Sequence, residues 1–359
     1  MVENHRINSK TALRGHLMHP SSLRRGAAAR KSSAPAQRGG RPLEIPKDRD
    51  QVELAIDGRM VRLTNLRKVF WPEPLITKGN LLQYYADMAP VLLPHLVNRA
   101  MVMKRYPNGV SGGFFFMKHA PESRPDWIQV CSIAHNSGNT VDFPVVQGLA
   151  SLLWIVNLGC IDLNQWYATC ADVDRPDYLH FDLDPVEPAD FKKVCRAALA
   201  VHEALDALKI PNYAKTTGSR GIHIYVPIAL GPTQKQVWTF AKSMARELAA
   251  MQPRLITAEY RIPKRPAGRV LVDYNQNAWG RTLASVYSVR PRPLATVSTP
   301  VTWEEVARGI RIEDFRIDNL RERVRKIGDL WKPLLSPRGR CRLDKFFTTM
   351  NGSARATRA

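Results

Sequence analysis

Two aspartates one residue apart, Asp182 and Asp184, close an apolar run, Tyr178-Leu179-His180-Phe181, and Pro185 follows at once. On a strand, residues i and i+2 project to one face about 6.5–7 Å apart, so both carboxylates point the same way while Leu183 points to the other face. Carboxylates at that separation bind or share hard divalent cations, and two cations ~3.5–4 Å apart are the usual device for in-line phosphoryl transfer. Pro185 stops the strand just past the acids and leaves them at its C-terminal end, where open sheets place their chemistry. Asp-x-Asp pairs also occur as solvated strand ends and turn caps. The apolar flank Tyr178 to Phe181 weighs against that reading, because acids that end a buried strand need partners.

A second stretch with chemical content is Thr216-Thr217-Gly218-Ser219-Arg220-Gly221-Ile222-His223. Small hydroxyl and glycine residues let backbone N–H groups approach phosphate oxygens, and Arg220 and His223 add side-chain donors. It is not a P-loop, since Gly-x-x-x-x-Gly-Lys is absent. A Gly-Ser-Arg-Gly turn is commonly just a turn, and a histidine on an apolar strand is commonly a core residue. What distinguishes this one is order: an Asp-x-Asp strand, a helix, the glycine turn with its histidine, another helix, and then Arg269-Val270-Leu271-Val272-Asp273-Tyr274, a further apolar strand ending in an acid.

The elements that must position these residues read as follows. Asp57-Gly58 joins two alternating segments within Val52–Thr64, a hairpin signal. Thr77-Lys78-Gly79-Asn80 opens a helix through Met88, Ala100–Tyr106 is a strand with Lys104 and Arg105 at its end, and Phe114-Phe115-Phe116 follows a glycine-softened turn. Gly148–Leu158 reads as a buried helix. Phe191, Val194, Ala198, Val201, Leu205 and Leu208 recur at helical spacing, and a further helix covers roughly Thr233 to Met251. Strands alternating with helices predict a mixed α/β sheet with acids on neighbouring strands.

Lys plus Arg outnumber Asp plus Glu by 53 to 32, a net charge of +21, which points to a polyanionic partner such as nucleic acid. Residues 1–41 carry +8 of it and residues 336–359 carry +5, so the body keeps +8. The expected organisation is a disordered basic arm (1–46), preferred over an organellar transit peptide, then a catalytic domain (47–335) and a basic, disordered tail (336–359). Five scattered cysteines form no zinc spacing and read as reduced thiols. No apolar run approaches the ~18 residues of a membrane span.

His180-Phe181-Asp182-Leu183-Asp184-Pro185, the Thr217–Pro227 block, Val272-Asp273-Tyr274-Asn275-Gln276-Asn277 and Ser285-Val286-Tyr287-Ser288-Val289-Arg290-Pro291 together resemble the polymerase domain of bacterial DNA ligase D, of the archaeo-eukaryotic primase superfamily, over roughly residues 50–335. The resemblance implies a mixed-sheet primase-polymerase fold with catalytic acids on adjacent strands and flanking helices. It implies that Asp182, Asp184 and Asp273 bind two Mg²⁺ or Mn²⁺ ions, and that Lys104, Arg105, Thr217, Ser219, Arg220, His223 and Arg290 hold the triphosphate of an NTP or dNTP. Phe115 and Phe116 would stack on the incoming base and the template. Lys68 and Lys78 would grip a DNA 5′-phosphate at a gap or broken end, helped by free N–H groups where Lys78 opens its helix. The implied partners are DNA, Ku and a separate ligase, in the bacterial cytoplasm at the nucleoid.

Two departures from the family pattern stand out. Arg220 occupies the usual lysine position of Ser-Gly-Ser-Lys-Gly, and Asp162-Leu163-Asn164-Gln165-Trp166 stands where many members have Glu-Leu-His-Pro-Trp. No Lys-x-Asp-Gly adenylation motif is present, so the sequence reads as a stand-alone polymerase module. The alternatives are another Asp-x-Asp enzyme, a haloacid-dehalogenase-like phosphatase or a nucleotide-sugar transferase, or a non-catalytic DNA-end-binding protein.

Overall fold

Alternating apolar residues build the first hairpin, in which β1 (Gln51–Ile56) and β2 (Arg59–Thr64) pair in the register Ile56↔Arg59. Asp57 and Gly58 between them take positive φ, 51° and 69°, the backbone of a two-residue turn that matches strand twist. A computed structural model of the chain describes residues 43–134 and 138–347. The arm up to residue 42 and the end beyond residue 347 lie outside the described residues.

Short β3 (Val69–Trp71) and β4 (Ile76–Thr77) lead into α1 (Lys78–Leu96), which Thr77 and Asn80 start with a capping box. The helix runs past Met88 and through Pro90 and Pro94. Leu81, Tyr85, Met88, Leu92 and Leu96 continue one buried stripe, and that packing outweighs the hydrogen bonds the prolines remove. β5 (Met101–Arg105), β6 (Phe115–Met117) and β9 (Cys160–Gln165) form a three-stranded sheet in the order β6-β5-β9. Between them in sequence lie the hairpin β7 (Val130–Ala134) and β8 (Thr140–Pro144) and the buried α2 (Leu149–Asn157), which packs on α1.

The acid-bearing strand, β10 (Tyr178–Pro185), lies inside a six-stranded sheet completed by β11 (Tyr213–Thr216), β12 (Ile222–Pro227), β13 (Ile256–Thr257), β14 (Val270–Asp273) and β15 (Pro300–Val301). The order is β13-β14-β10-β12-β11-β15, antiparallel except for the β13–β14 pair. Leu179, Phe181 and Leu183 point into a core shared with α3 (Phe191–Ala207) and α4 (Gln234–Met251). Period two then forces Tyr178, His180, Asp182 and Asp184 onto the opposite face. Beyond the sheet lie α5 (Trp303–Arg308) and α6 (Leu320–Ile327). Among the described residues no helix is long and apolar enough to cross a membrane.

Both domain boundaries need correction. Ile45 is buried, and Gln83 clasps the backbone leading into it, accepting from the Ile45 N–H and donating to the Leu43 carbonyl, so the ordered body already includes residues 43–46. At the other end, Cys341 and Leu343 are buried and Cys341 bridges beside Ile228, which extends the body through residue 347 rather than ending it at 335. Apolar residues among many arginines carry these extensions, and the charge of both termini hides them in the sequence.

Candidate active site

Asp182 and Asp184 share a face of β10, and Asp273 on β14 stands directly opposite Asp182 in the antiparallel register. The acids press on one another. Asp184 is pushed up to about 7, chiefly by the charge of Asp182 and then by burial. Burial raises Asp182 to about 6 against the pull of Lys215, Arg290 and Arg220. Asp273 is raised by burial too, although the N–H of Asn275 and the Gln276 amide donate to it. Asp182 Oδ1 is buried and has no aligned hydrogen-bond donor; His223 Nε2 approaches it at 3.2 Å, off the hydrogen-bond line. A crowded carboxylate set with an uncommitted buried oxygen is chemically suited to hard divalent cations. Among the described residues no three acids, histidines or cysteines converge into a ready-made cage, so these acids would hold a cation only together with oxygens from substrate or water.

The register is held by a residue that spacing alone does not reveal. Past the end of β14, the Asn277 side chain accepts from the His180 N–H at 3.0 Å and donates to the His180 carbonyl at 2.7 Å, continuing the ladder by other means. On the other flank, a Cβ at Gly221 would lie 2.1 Å from the Leu183 carbonyl oxygen, so only glycine lets the turn lie against the acid strand.

Within that turn, the Thr217 hydroxyl accepts from the N–H groups of Ser219, Arg220 and Gly221 at 3.1–3.2 Å. The nest expected to receive phosphate is here filled by Thr217 itself. Ser219 accepts from Arg292, and exposed Arg220 stands near enough to Asp182 and Asp184 to pull both downward. Arg290 donates to the Thr217 carbonyl at 2.5 Å and to Asp162 Oδ1 at 2.9 Å, while Lys104 lies 3.2 Å from Asp162 Oδ2. Asp162 is thus a buried bridge between two cations, Arg290 and Lys104, that the family resemblance implies for triphosphate. Its signal was an acid between Ile161 and Leu163 in an apolar strand. Asn164, at the departure from the family pattern, is half-buried and donates to the Asp162 carbonyl.

Strand alternation divides the remaining predicted residues. Lys104 pairs with Phe116 across β5 and β6, and its ammonium lies over Phe114 at 4.2 Å on the side of Asp162. Arg105 pairs with Phe115 on the opposite face, donates to the Leu158 carbonyl and lies over the Phe115 ring at 5.2 Å. Its charge is felt at Lys78. Arg105 therefore stands with the predicted DNA-end residues and not with the acids, a correction that follows from a strand's two faces.

Lys68 is exposed and donates to Asn108, whereas Lys78 is nearly buried and donates to the Thr64 carbonyl at 2.6 Å. Burial and the nearby Lys68 hold Lys78 down at about 8. The helix N–H groups expected to be free are taken: Lys78 donates to Lys68 O, Gly79 to Leu66 O and Asn80 to Thr77 Oγ1. What an anion could meet there is cationic charge alone.

A mixed sheet with acids facing each other across adjacent antiparallel strands, flanked by a glycine turn and cations, has the architecture of a primase-polymerase. Residues 77–331 match the family described as LigD, primase-polymerase domain. Multifunctional non-homologous end joining protein LigD of Mycolicibacterium smegmatis is 34% identical over 276 residues, 76% of this chain and 36% of that protein. Bifunctional non-homologous end joining protein LigD of Bacillus subtilis is 31% identical over 269 residues, 75% of this chain and 43% of its own length. Among solved structures, the polymerase domain from Mycobacterium tuberculosis ligase D in complex with DNA superposes with a TM-score of 0.72 at 31% identity, covering 77% of this chain and 98% of that one. The chain belongs to the LigD primase-polymerase domain family. It spans well under half the length of these curated relatives. Family membership displaces the phosphatase and sugar-transferase readings of Asp182-x-Asp184.

Proposed function

We propose that this chain is a template-directed nucleotidyltransferase that adds NTPs or dNTPs to a DNA primer at gaps and broken ends, in non-homologous end joining. The observation that carries the reading is the pairing of Asp182 with Asp273 in register and of Asp184 with Asp182 on one face, with Arg220, Arg290 and Lys104 on the flank. A DNA complex of a structural relative supports DNA as the partner.

The three acids would hold Mg²⁺ or Mn²⁺, which when bound would lower the pKa of a primer hydroxyl and neutralise phosphate charge. Arg290, Lys104 and Arg220 would meet the triphosphate oxygens, and Asp162 keeps the first two gathered beforehand. Phe116, beside Lys104, offers a stacking face to a base, and exposed Phe115 offers one to nucleic acid on the far side of the hairpin. Lys68, Lys78 and Arg105 supply charge for a 5′-phosphate. Ku and a separate ligase would precede and follow this step.

The decisive experiment is extension of a primer on a gapped, 5′-phosphorylated duplex, comparing NTPs with dNTPs under Mg²⁺ and Mn²⁺. Metal-dependent extension that Asp184→Ala abolishes is the expected result. Extension by that variant at more than a few per cent of the wild-type rate would sink the assignment of the acids.

A further inference from the structure

Lys215 is fully buried on β11, directly across from His223 on β12, and nothing in the sequence singled it out. Buried lysines are rare without a carboxylate partner. This one instead has three neutral neighbours: His223 Nδ1 at 2.7 Å, Ala284 O at 2.9 Å and Ser298 Oγ at 2.5 Å. Ser298 spends its own hydrogen on the Thr216 carbonyl at 2.9 Å, so toward Lys215 it accepts. As an ammonium, Lys215 has three hydrogens and no lone pair, and each then has one acceptor if His223 Nδ1 is unprotonated. Burial pulls its pKa well below the ordinary lysine range, and as a neutral amine its lone pair would take an Nδ1–H, so this contact alone admits either tautomer.

The other side of the imidazole decides between them. His223 Nε2 stands 3.2 Å from Asp182 Oδ1, and its strand position is the register partner of Asp182. A bare nitrogen lone pair facing a carboxylate oxygen at that distance is repulsive, whereas an N–H there is attractive. With the hydrogen on Nε2, Nδ1 of a neutral imidazole is the acceptor, and Lys215 Nζ donates to it.

We propose that Lys215 is a positioning residue that fixes His223 as the Nε2–H tautomer, so that the ring holds an N–H beside the acid centre, open to a phosphate oxygen of the bound nucleotide. Fixing a tautomer through the ring's second nitrogen is the usual way a buried imidazole is oriented. The assignment of the phosphate rests on the polymerase reading; the tautomer does not.

The first test uses metal-free protein carrying nitrogen-15 histidine near neutral pH, with the His223 ring signals identified by their loss in His223→Ala. The wild type should show a protonated Nε2 and an unprotonated, hydrogen-bonded Nδ1. In Lys215→Met the Nδ1 signal should move and the tautomers should mix. Kinetically, Lys215→Met should raise KM for the nucleoside triphosphate by roughly 10-fold or more with a smaller change in kcat, as loss of a supporting contact does. Added to His223→Ala, it should do nothing further.

A protonated Nδ1 in the wild type, unmoved ring signals in Lys215→Met, or independent effects in the double variant would overturn the inference. If Lys215→Met does not fold, the wild-type tautomer still decides. An Nε2–H tautomer in a protein that extends no primer would support the positioning role and strike the polymerase reading alone.

Discussion

At the scale of single residues, the crowding of the acids works against the stability of the fold. Because the folded Asp184 carboxyl titrates near 7, above the ordinary carboxylate range, the folded state binds more protons than the unfolded chain between these values. Metal-free stability therefore falls as pH rises through that window. Asp184→Asn should stabilise the metal-free protein at pH 8 by on the order of 1–2 kcal/mol and so raise its thermal midpoint, with the advantage vanishing near pH 4, where the carboxyl is protonated anyway. Thermal scans in chelator at both pH values check this, and an equal shift at both would show that repulsion is not the cause. The lysines make a second case. Replacing Lys68 and Lys78 by alanine should weaken binding of a gapped duplex with a 5′-phosphate, each contact being worth roughly 1.5–3 kcal/mol, and leave a 5′-hydroxyl duplex nearly unaffected. An anion would stabilise the charged form of Lys78, so the wild-type preference for phosphate should also decline as pH rises above about 8. The ratio of the two dissociation constants at fixed salt, measured against pH, tests both claims.

At the scale of elements, the site depends on how β10 is clamped. Asn277→Ala strips the His180 N–H and carbonyl of their buried partners and should cost about 2–3 kcal/mol in chemical denaturation, with loss of activity exceeding loss of folded protein. Asn277→Asp, which sets a buried carboxylate oxygen against the His180 and Tyr274 carbonyls, should cost at least as much. Much of this architecture is legible in sequence because it follows from local chemistry. Asp57-Gly58 specifies its turn, Thr77 and Thr233 specify helix starts, and a period of two places Asp182 and Asp184 together. Lys215, Asp162 and Asn277 were not legible as participants. Their partners lie 8 to 128 residues away, on other elements, and a lysine or an acid within an apolar strand does not announce what it meets. The expected open helix N-terminus at Lys78 failed for the same reason, since the carbonyls that cover it come from the preceding loop.

At the scale of the molecule, charge is distributed unevenly. The described body holds the acids and their gathered cations, while residues 1–41, outside the described part, carry a net +8. Deleting them should lower non-specific DNA affinity and flatten its salt dependence by about one unit of log–log slope for each phosphate no longer neutralised, with turnover at saturating DNA little changed. Titrations of a labelled duplex over a salt series measure the slope directly; an unchanged slope would show that the arm does not touch DNA.

The β5–β6 hairpin has Lys104 and Phe116 on one face and Arg105 and Phe115 on the other, one residue apart along the same two strands. Occupants of the two faces therefore share a single piece of backbone, and their affinities are bound by thermodynamic reciprocity. If the two faces take a nucleotide and a DNA end as proposed, whatever factor the nucleotide imposes on the grip for the DNA end, the DNA end imposes on the grip for the nucleotide.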